Sequence, residues 1–579
     1  MYDTLSDKQK DIVFEREGKF TVRACPGSGK TYSVAARLAK KISEWDKRNQ
    51  GIATLSFTNV AWQEIEQQVH KHFGIRQPIP YPHFLGTIDS FINQYIFLPF
   101  GHLVMDCCKR PTLVGEPHGN WISGKYERDY DQYFDKTTID VNGNLIPDAD
   151  LQQFHFSWKP NKDGSENGHI KNIKKSKWKF WKQGYATQGD ANFFSMVLVS
   201  EFSSIPKSLI HRFPVFIIDE AQDTSEIQMK IIDSLIENGL EHIVLVGDPD
   251  QAIFEWNDAK PQLFTEKFEA WKENSVILNS NRRSSQNICN STYPLSSLQA
   301  ISTAVTDDVK EYDFVPEVLT CDLNNLGPII NYFIETCRNR NIEVTPDKVA
   351  ILYRSKSLFN NITGTPQIKT KALPWILGDT YAKDFAEGKY LYDNVDFKQG
   401  FKLIEKACYK RINKSNYCPK SELDKQIERI GFTKYRTKVQ EIIKMLPQAD
   451  GNIGDWMDQA NKIFQEENIN LRLQYQDAKR NMSFDEIFAV AKEEAVERDY
   501  RLGTIHSAKG ETFEAVLVIL KKKGIGSYYK TMLINGKTVA DNEELRIVYV
   551  AITRPRKILM IAVPDDENKN VWKNRLFEI

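Results

Sequence analysis

ACPGSGKTYSVA, residues 24–35, decides how this chain folds. The residues leading into it, KFTVRA (19–24), alternate as a short strand, and Val34, Leu38 and Ile42 then recur at helical spacing. Strand, glycine-rich loop and helix in that order make a phosphate-binding loop. Its backbone N–H groups and the helix N-terminus face an anion. Ala24, Cys25, Pro26, Gly27, Ser28 and Gly29 form the cradle in this reading, with Ala24 where the strict pattern has glycine. Lys30 then reaches the outer phosphates of a nucleoside triphosphate, and Thr31 holds Mg²⁺. Tyr32, directly after Thr31, is an aromatic beside the nucleotide and calls for its own explanation.

A second stretch, FPVFIIDEAQD (213–223), supplies the partner strand. Four apolar residues, Val215 to Ile218, read as a strand buried on both faces of a parallel sheet. Acids follow at its C-terminal end, where open α/β sheets bind ligands. Asp219 is suited to the Mg²⁺ shell and Glu220 to orienting and deprotonating a water. A solvated acid pair is the bland alternative, and the phosphate loop upstream outweighs it. A third apolar strand opens IVLVGDPDQAIFEWNDA (243–259); Gln251 can sense the γ-phosphate, and Phe254 and Trp256 follow on the same loop. Exposed aromatics stack on unpaired bases at about 1–3 kcal/mol each.

Bulk properties narrow the class. Of 579 residues, 41% are hydrophobic and 27% charged, which suits a globular protein of several domains. Lysine plus arginine equals aspartate plus glutamate at 77 each, so any surface for nucleic acid must be local. The N-terminus has no apolar core, and no run reaches the ~18 apolar residues of a membrane span. Eight cysteines without a C-x-x-C pair give no disulfide framework or zinc ribbon. The expectation is a cytoplasmic protein with no membrane partner.

In order along the chain stand LSDKQ (5–9), the phosphate loop, LSFTNVAWQEI (55–65), GTIDSF (86–91), IIDEAQD, VGDPDQAIFEW, NRRSS (281–285), VAILYRS (349–355), GTIHSAKGETFEAVLVI (503–519) and VYVAITRPRK (548–557). This series resembles the UvrD/PcrA/Rep branch of superfamily 1 helicases. The resemblance implies an α/β chain of two RecA-like parallel-sheet domains, each with an inserted, mainly helical subdomain. ATP and Mg²⁺ would lie between the domains, with single-stranded or tailed duplex DNA across the top. By the same likeness Gln9 reads adenine, Arg283 and Arg554 reach the γ-phosphate from the second domain, and Thr58, Asn59, Thr87, Phe254, Trp256, His506 and Lys509 line the DNA path or couple it to ATP. The family pattern has a lysine where Val60 stands, a histidine at Asp89, and a ribose-binding carboxylate at Thr512. No ribose contact is carried over to Thr512 or to neighbouring Glu511. The family also places an arginine after the loop threonine and a tyrosine before the finger arginine. Here Tyr32 and Arg282 exchange those identities, and both can stack on a base.

The expected domains are 1A at 1–91 and 206–275, 1B at 92–205, 2A at 276–375 and 499–579, and 2B at 376–498. Within 1B, KNIKKSKWKFWK (171–182) carries six lysines, no acid and three aromatics, a nucleic-acid composition with a solvated basic loop as its alternative. SFDEIFAVAKEEAVERDY (483–500) is helical by pattern. The compact build is similar to the helicase subunit of Gabija-type anti-phage systems, which implies an OLD-family nuclease as partner. A DNA translocase or helicase, 3′-to-5′ by family, is the leading expectation. A DNA-stimulated ATPase that regulates a nuclease, and an RNA helicase, are the alternatives.

Overall fold

The computed structural model describes residues 2–115, 130–134, 137–147, 163–253, 259–298, 300–354, 358, 362, 374–375, 381–394, 396–413, 418, 420–469, 471–488, 498–521 and 529–577. Two parallel sheets organise it. The first contains β1 (Lys19–Ala24), β2 (Ile52–Ser56), β3 (Phe84–Thr87), β4 (Val215–Ile218), β5 (His242–Gly247) and β6 (Val276–Leu278), in the order β6-β1-β5-β4-β2-β3. β6 pairs with β1, so this sheet continues past residue 275. Successive side chains of a strand point to opposite faces. Val215 and Ile217 accordingly enter one core with Val34 and Leu38, while Phe216 and Ile218 enter the other with Phe91 and Ile231. Both faces are covered, as the continuous apolar run requires.

The second sheet holds β7 (Glu317–Thr320), β8 (Val349–Tyr353), β9 (Arg501–Thr504), β10 (Phe513–Ile519) and β11 (Pro555–Val563), in the order β7-β11-β10-β8-β9. It too divides its alternating residues between two cores. The expected α/β class with two parallel sheets is what the chain adopts.

Helix α1 (Lys30–Ser43) follows the phosphate loop and α2 (Asn59–Phe73) follows β2. Between β3 and β4 lie α3 (Gly168–Lys182), α4 (Gln188–Glu201) and short strand pairs at 112–113 with 185–186 and 137–139 with 145–147. α3 and α4 are joined by a fully buried ion pair, Lys177 Nζ to Asp190 Oδ1 at 2.6 Å. The C-terminal half of α4 leaves this insertion: Leu198 and Val199 pack in the core of the first sheet. A second insertion, between β8 and β9, contains α5 (Tyr381–Asp393), α6 (Phe397–Ile412), α7 (Lys420–Ile430), α8 (Phe432–Met445) and α9 (Ile453–Glu466) around its own core. Gly388 and Gly400 let α5 and α6 touch backbone to backbone; a Cβ on Gly400 would lie 2.6 Å from the Gly388 carbonyl. Of the stretch expected to be helical at 483–500, Phe484–Phe488 is helix, 498–500 is a bend leading into β9 instead, and 489–497 lies outside the described residues. No single helix among the described residues is long and apolar enough to cross a membrane.

Candidate nucleotide cleft and its neighbouring strand ends

The sheet order places three loops side by side, because β1, β5 and β4 are adjacent and parallel. From β1 the chain enters the phosphate loop, where the Cys25 amide donates to the Leu278 carbonyl at 2.8 Å. Gly27 and Gly29 have φ of +72° and +77°, a left-handed conformation that costs glycine little. Added Cβ atoms would meet Asn281 Oδ1 at 2.6 Å from Gly27 and Gln9 Nε2 at 3.0 Å from Gly29. Ser28 is buried, and its hydroxyl finds no hydrogen-bond partner among the described residues. A buried unpaired donor in such a loop suits a phosphate oxygen. Burial drives the Cys25 thiol up to about 11, so it is not a nucleophile.

Across the cleft, Thr31 Oγ1 lies 3.5 Å from Asp219 Oδ2, the pair expected to hold Mg²⁺. Asp219 is buried, with its amide bonded to the Leu55 carbonyl at 2.9 Å. Burial and then Glu220 raise its carboxyl to about 7. Glu220 has φ +52°, left-handed and strained for a side chain of this kind. Its Oε2 accepts from Gln222 Nε2 at 2.5 Å. Burial opposes its charge, but Lys30, then Lys509, Gln222 and Arg554, outweigh burial and hold its pKa low. Burial likewise works against Lys30, while Glu220, Asp248 and Asp219 raise its pKa. A concentrated set of carboxylates around one lysine fits a divalent cation and a triphosphate together.

Asp248, at the C-terminal end of β5, belongs to this set although the sequence reading passed over it; burial raises it to about 6. The signal was available, because it ends an apolar strand as Asp219 does. Asp248 accepts from Gln251 Nε2, and Gln251 Oε1 accepts from Arg554 Nη2, which arrives from the second sheet. Arg554 also donates to the Val550 carbonyl at 2.8 Å. Burial and the nearby Arg283 push the Arg554 pKa well below its usual value. Arg283 donates to Thr512 Oγ1 at 2.9 Å and to the Thr553 carbonyl at 3.1 Å. Burial lowers the Arg283 pKa to about 10. Thr512 thus holds Arg283, one of the two arginines expected to reach the γ-phosphate, while Glu511 accepts from Arg501 at 3.4 Å. Next along the loop, Ile253 packs in a core of the second sheet, and Arg546 donates to the Ala252 carbonyl at 2.8 Å. Nothing in the local sequence marked Arg546, which sits inside a helix.

Gln9, Tyr32 and Arg282 gather beside Gly29. Gln9 Oε1 accepts from the Ser6 amide at 3.0 Å and from Arg282 Nη2 at 2.9 Å, and Gln9 Nε2 donates to Ser33 Oγ at 3.1 Å. The Tyr32 hydroxyl bonds Thr4 Oγ1 at 2.9 Å, and its ring meets His72 edge-on at 5.4 Å.

Of the residues expected along the DNA path, Thr58, Asn59, Thr87, His506 and Lys509 sit at or just past the C-terminal ends of β2, β3 and β9. β2 and β3 pair in register with Ser56 opposite Thr87, and Thr58 follows two residues past the end of β2. Thr58 caps α2 by accepting from the Ala61 amide, and Thr87 caps the helix Ile88–Ile92 by accepting from the Ser90 amide. Asn59 is exposed and accepts from Trp62 Nε1 at 3.1 Å. Asp89 faces inward, accepting from Gln228 Nε2 at 2.8 Å and Asn192 Nδ2 at 3.1 Å, so it ties α4 to β3. On the second sheet, burial and then Arg354 lower the His506 pKa. Lys509 Nζ reaches across to Asp223 Oδ2 at 2.7 Å. Phe254 and Trp256 lie outside the described residues.

Comparison with known proteins agrees with this geometry. Residues 5–271 match the UvrD/REP helicase N-terminal domain and residues 482–565 the UvrD-like helicase C-terminal domain. ATP-dependent DNA helicase PcrA of Staphylococcus epidermidis is 22% identical over 301 residues, covering 49% of this chain and 39% of the relative. PcrA of Staphylococcus aureus is 22% identical over 300 residues with the same coverage. The chain therefore spans well under half the length of these relatives. With both domain matches in order and together covering more than half of it, the chain belongs to the UvrD/REP helicase family.

Proposed function

We propose that this protein is an ATP-driven single-stranded-DNA translocase and DNA helicase that uses Mg²⁺. The observation that carries the reading is the bridge between the two sheets at the phosphate loop. Arg554 and Arg283, held by the second domain, converge with Lys30, Asp219 and Glu220 of the first. Lys30 neutralises the outer phosphates; Thr31 and Asp219 hold Mg²⁺, whose charge polarises the phosphates when bound; Glu220 orients the attacking water and takes its proton. The arginines complete the site only when the domains are closed, and such fingers contribute roughly 10³–10⁵ in rate. Hydrolysis then alternates the cleft between closed and open, and closure is the power stroke.

Gln9, Tyr32 and Arg282 surround the adenine in this proposal, with the ring and the guanidinium plane on its two faces. Arg282 now occupies Gln9 Oε1 and would share or yield that oxygen to the base. Thr58, Asn59, Thr87, Phe254, Trp256, His506 and Lys509 contact DNA in this proposal, and the protein moves along the strand 3′-to-5′. An OLD-family nuclease partner and a role in anti-phage defence complete the reading, in the cytoplasm.

The test is a strand-displacement and ATPase comparison on a tailed duplex. Lys30→Ala should lose productive nucleotide binding. Glu220→Gln should bind ATP and DNA yet turn over very slowly. DNA-stimulated hydrolysis at the normal rate by Glu220→Gln overturns the assignment, and stimulated hydrolysis by the wild type with no displacement leaves a sensor ATPase in its place.

A further inference from the structure

We infer that the exposed face of α3 is a second site for single-stranded nucleic acid, outside the cleft and the strand ends described above. Beyond the first turn of the helix, with its exposed Gly168 and His169, the exposed residues are Lys171, Lys175, Trp178 and Lys182, spaced i, i+4, i+7 and i+11. At about 100° per residue they share one narrow stripe about 16 Å long. Ile173, Ser176, Lys177 and Phe180 occupy the opposite, buried face. No acid occurs anywhere in the helix.

The ligand chemistry follows from what the stripe presents. Lys171 and Lys175 have no ion-pair partner among the described residues, whereas Lys174 pairs with Glu166 and Lys182 with Asp106. The Trp178 indole is 52% exposed, and Lys182 Nζ stands 4.2 Å from its ring centroid. An exposed indole flanked by cations matches a base and its adjoining phosphates. One aromatic amid lysines offers a protein partner no apolar centre to bury. A duplex keeps its bases stacked on each other, so the indole favours an unpaired strand.

The stripe is also rigidly mounted. Lys177 holds Asp190 and the Thr137 carbonyl from the buried face, and Phe180 stacks on Tyr185. Asp190 belongs to the capping box of α4, and Asn192 on α4 bonds Asp89, two residues beyond Thr87. A strand held on α3 is thereby fixed relative to the ends of β2 and β3.

The inference rests on the reading that this protein works on DNA, and the test separates the two. Binding of fluorescent oligo(dT) and of a blunt duplex is measured by anisotropy from about 50 to 200 mM salt. For Lys171→Gln/Lys175→Gln, the slope of log K against log salt for oligo(dT) should flatten by about 1.4, two phosphates at ~0.7 each. Trp178→Ala should bind oligo(dT) about 5- to 160-fold more weakly with the slope kept. Basal ATPase and the thermal midpoint should stay at wild-type values. Unchanged binding by both variants, with hydrolysis still DNA-stimulated, overturns the stripe alone. A larger loss for duplex than for oligo(dT) also overturns it. Failure of the wild type to bind either oligonucleotide sinks the proposed function as well.

Discussion

Removing the Lys509 ammonium should make stability depend on pH in a way no other explanation reproduces. Lys509 Nζ lies 2.7 Å from the buried Asp223 carboxylate across the two domains. Burial raises that carboxyl from 3.8 to about 6, with Lys509 pulling it down and Glu220 pushing it up. A carboxyl raised in the folded state stabilises most below its unfolded pKa, and that stability is lost as pH rises through the folded one. In Lys509→Met the downward pull is gone, so the Asp223 carboxyl is raised further and, from pH 6 upward, keeps in the fold a proton that the unfolded chain does not hold. Relative to wild type the extra cost then grows by at most about 1.4 kcal/mol for each pH unit above 6: nearly nothing at pH 6, up to about 1.4 at pH 7 and up to about 2.7 at pH 8. Protonation caps the loss below the ~3–5 kcal/mol of a broken buried pair. At roughly 2–4 °C per kcal/mol for a unit of about 150–250 residues, the midpoint of the domain transition should fall by up to about 6 °C at pH 7 and up to about 11 °C at pH 8. Melting curves of wild type, Lys509→Met and Lys509→Met/Asp223→Asn at the three pH values make the measurement. The double variant should show no such pH dependence. An equal shift at every pH, or a double variant no better than the single one, refutes the reasoning.

The Lys177–Asp190 pair gives a local counterpart: Lys177→Met should cost about 3–5 kcal/mol, read as faster hydrogen exchange across α3 and α4, and Lys177→Met/Asp190→Leu should recover most of it. Gly27→Ala and Gly74→Ala form a matched pair with φ of +72° and +70°. A Cβ at Gly27 would stand 2.7 Å from Arg283 Cβ, whereas one at Gly74 meets nothing within 4 Å. Gly74→Ala should therefore cost only about 1 kcal/mol of backbone strain, while Gly27→Ala also raises the KM for ATP. Tyr32→Ala and Arg282→Ala should each raise that KM several-fold, and Tyr32→Arg/Arg282→Tyr should recover it where neither single exchange does; independent effects at the two positions would exclude the sandwich. Trp256→Ala should weaken single-strand binding and its stimulation of ATPase with the midpoint unchanged, a fall in midpoint alone marking a core tryptophan instead.

Much of this protein is written locally. KFTVRA, the glycines after it and the helical spacing beyond define β1, the phosphate loop and α1 without help from the rest of the chain. VFII followed by two acids likewise defines β4 and its ligand end. These features are legible because neighbouring residues set the backbone conformation, and an unbroken apolar run is stable only where other segments cover both its faces. The basic composition of residues 171–182 was equally visible, but only the helix sorts Lys177 into the interior and Lys171, Lys175, Trp178 and Lys182 onto one stripe. Asp89 stands where the family pattern has a histidine, and only packing shows it bonded to Asn192 and Gln228. Gln251 meets Arg554 across 303 residues and Lys509 meets Asp223 across 286. The sequence by itself determined the chemistry each motif can perform. Strand order and domain docking decided which motifs meet, because a side chain's partner and its burial depend on distant segments that no local pattern encodes.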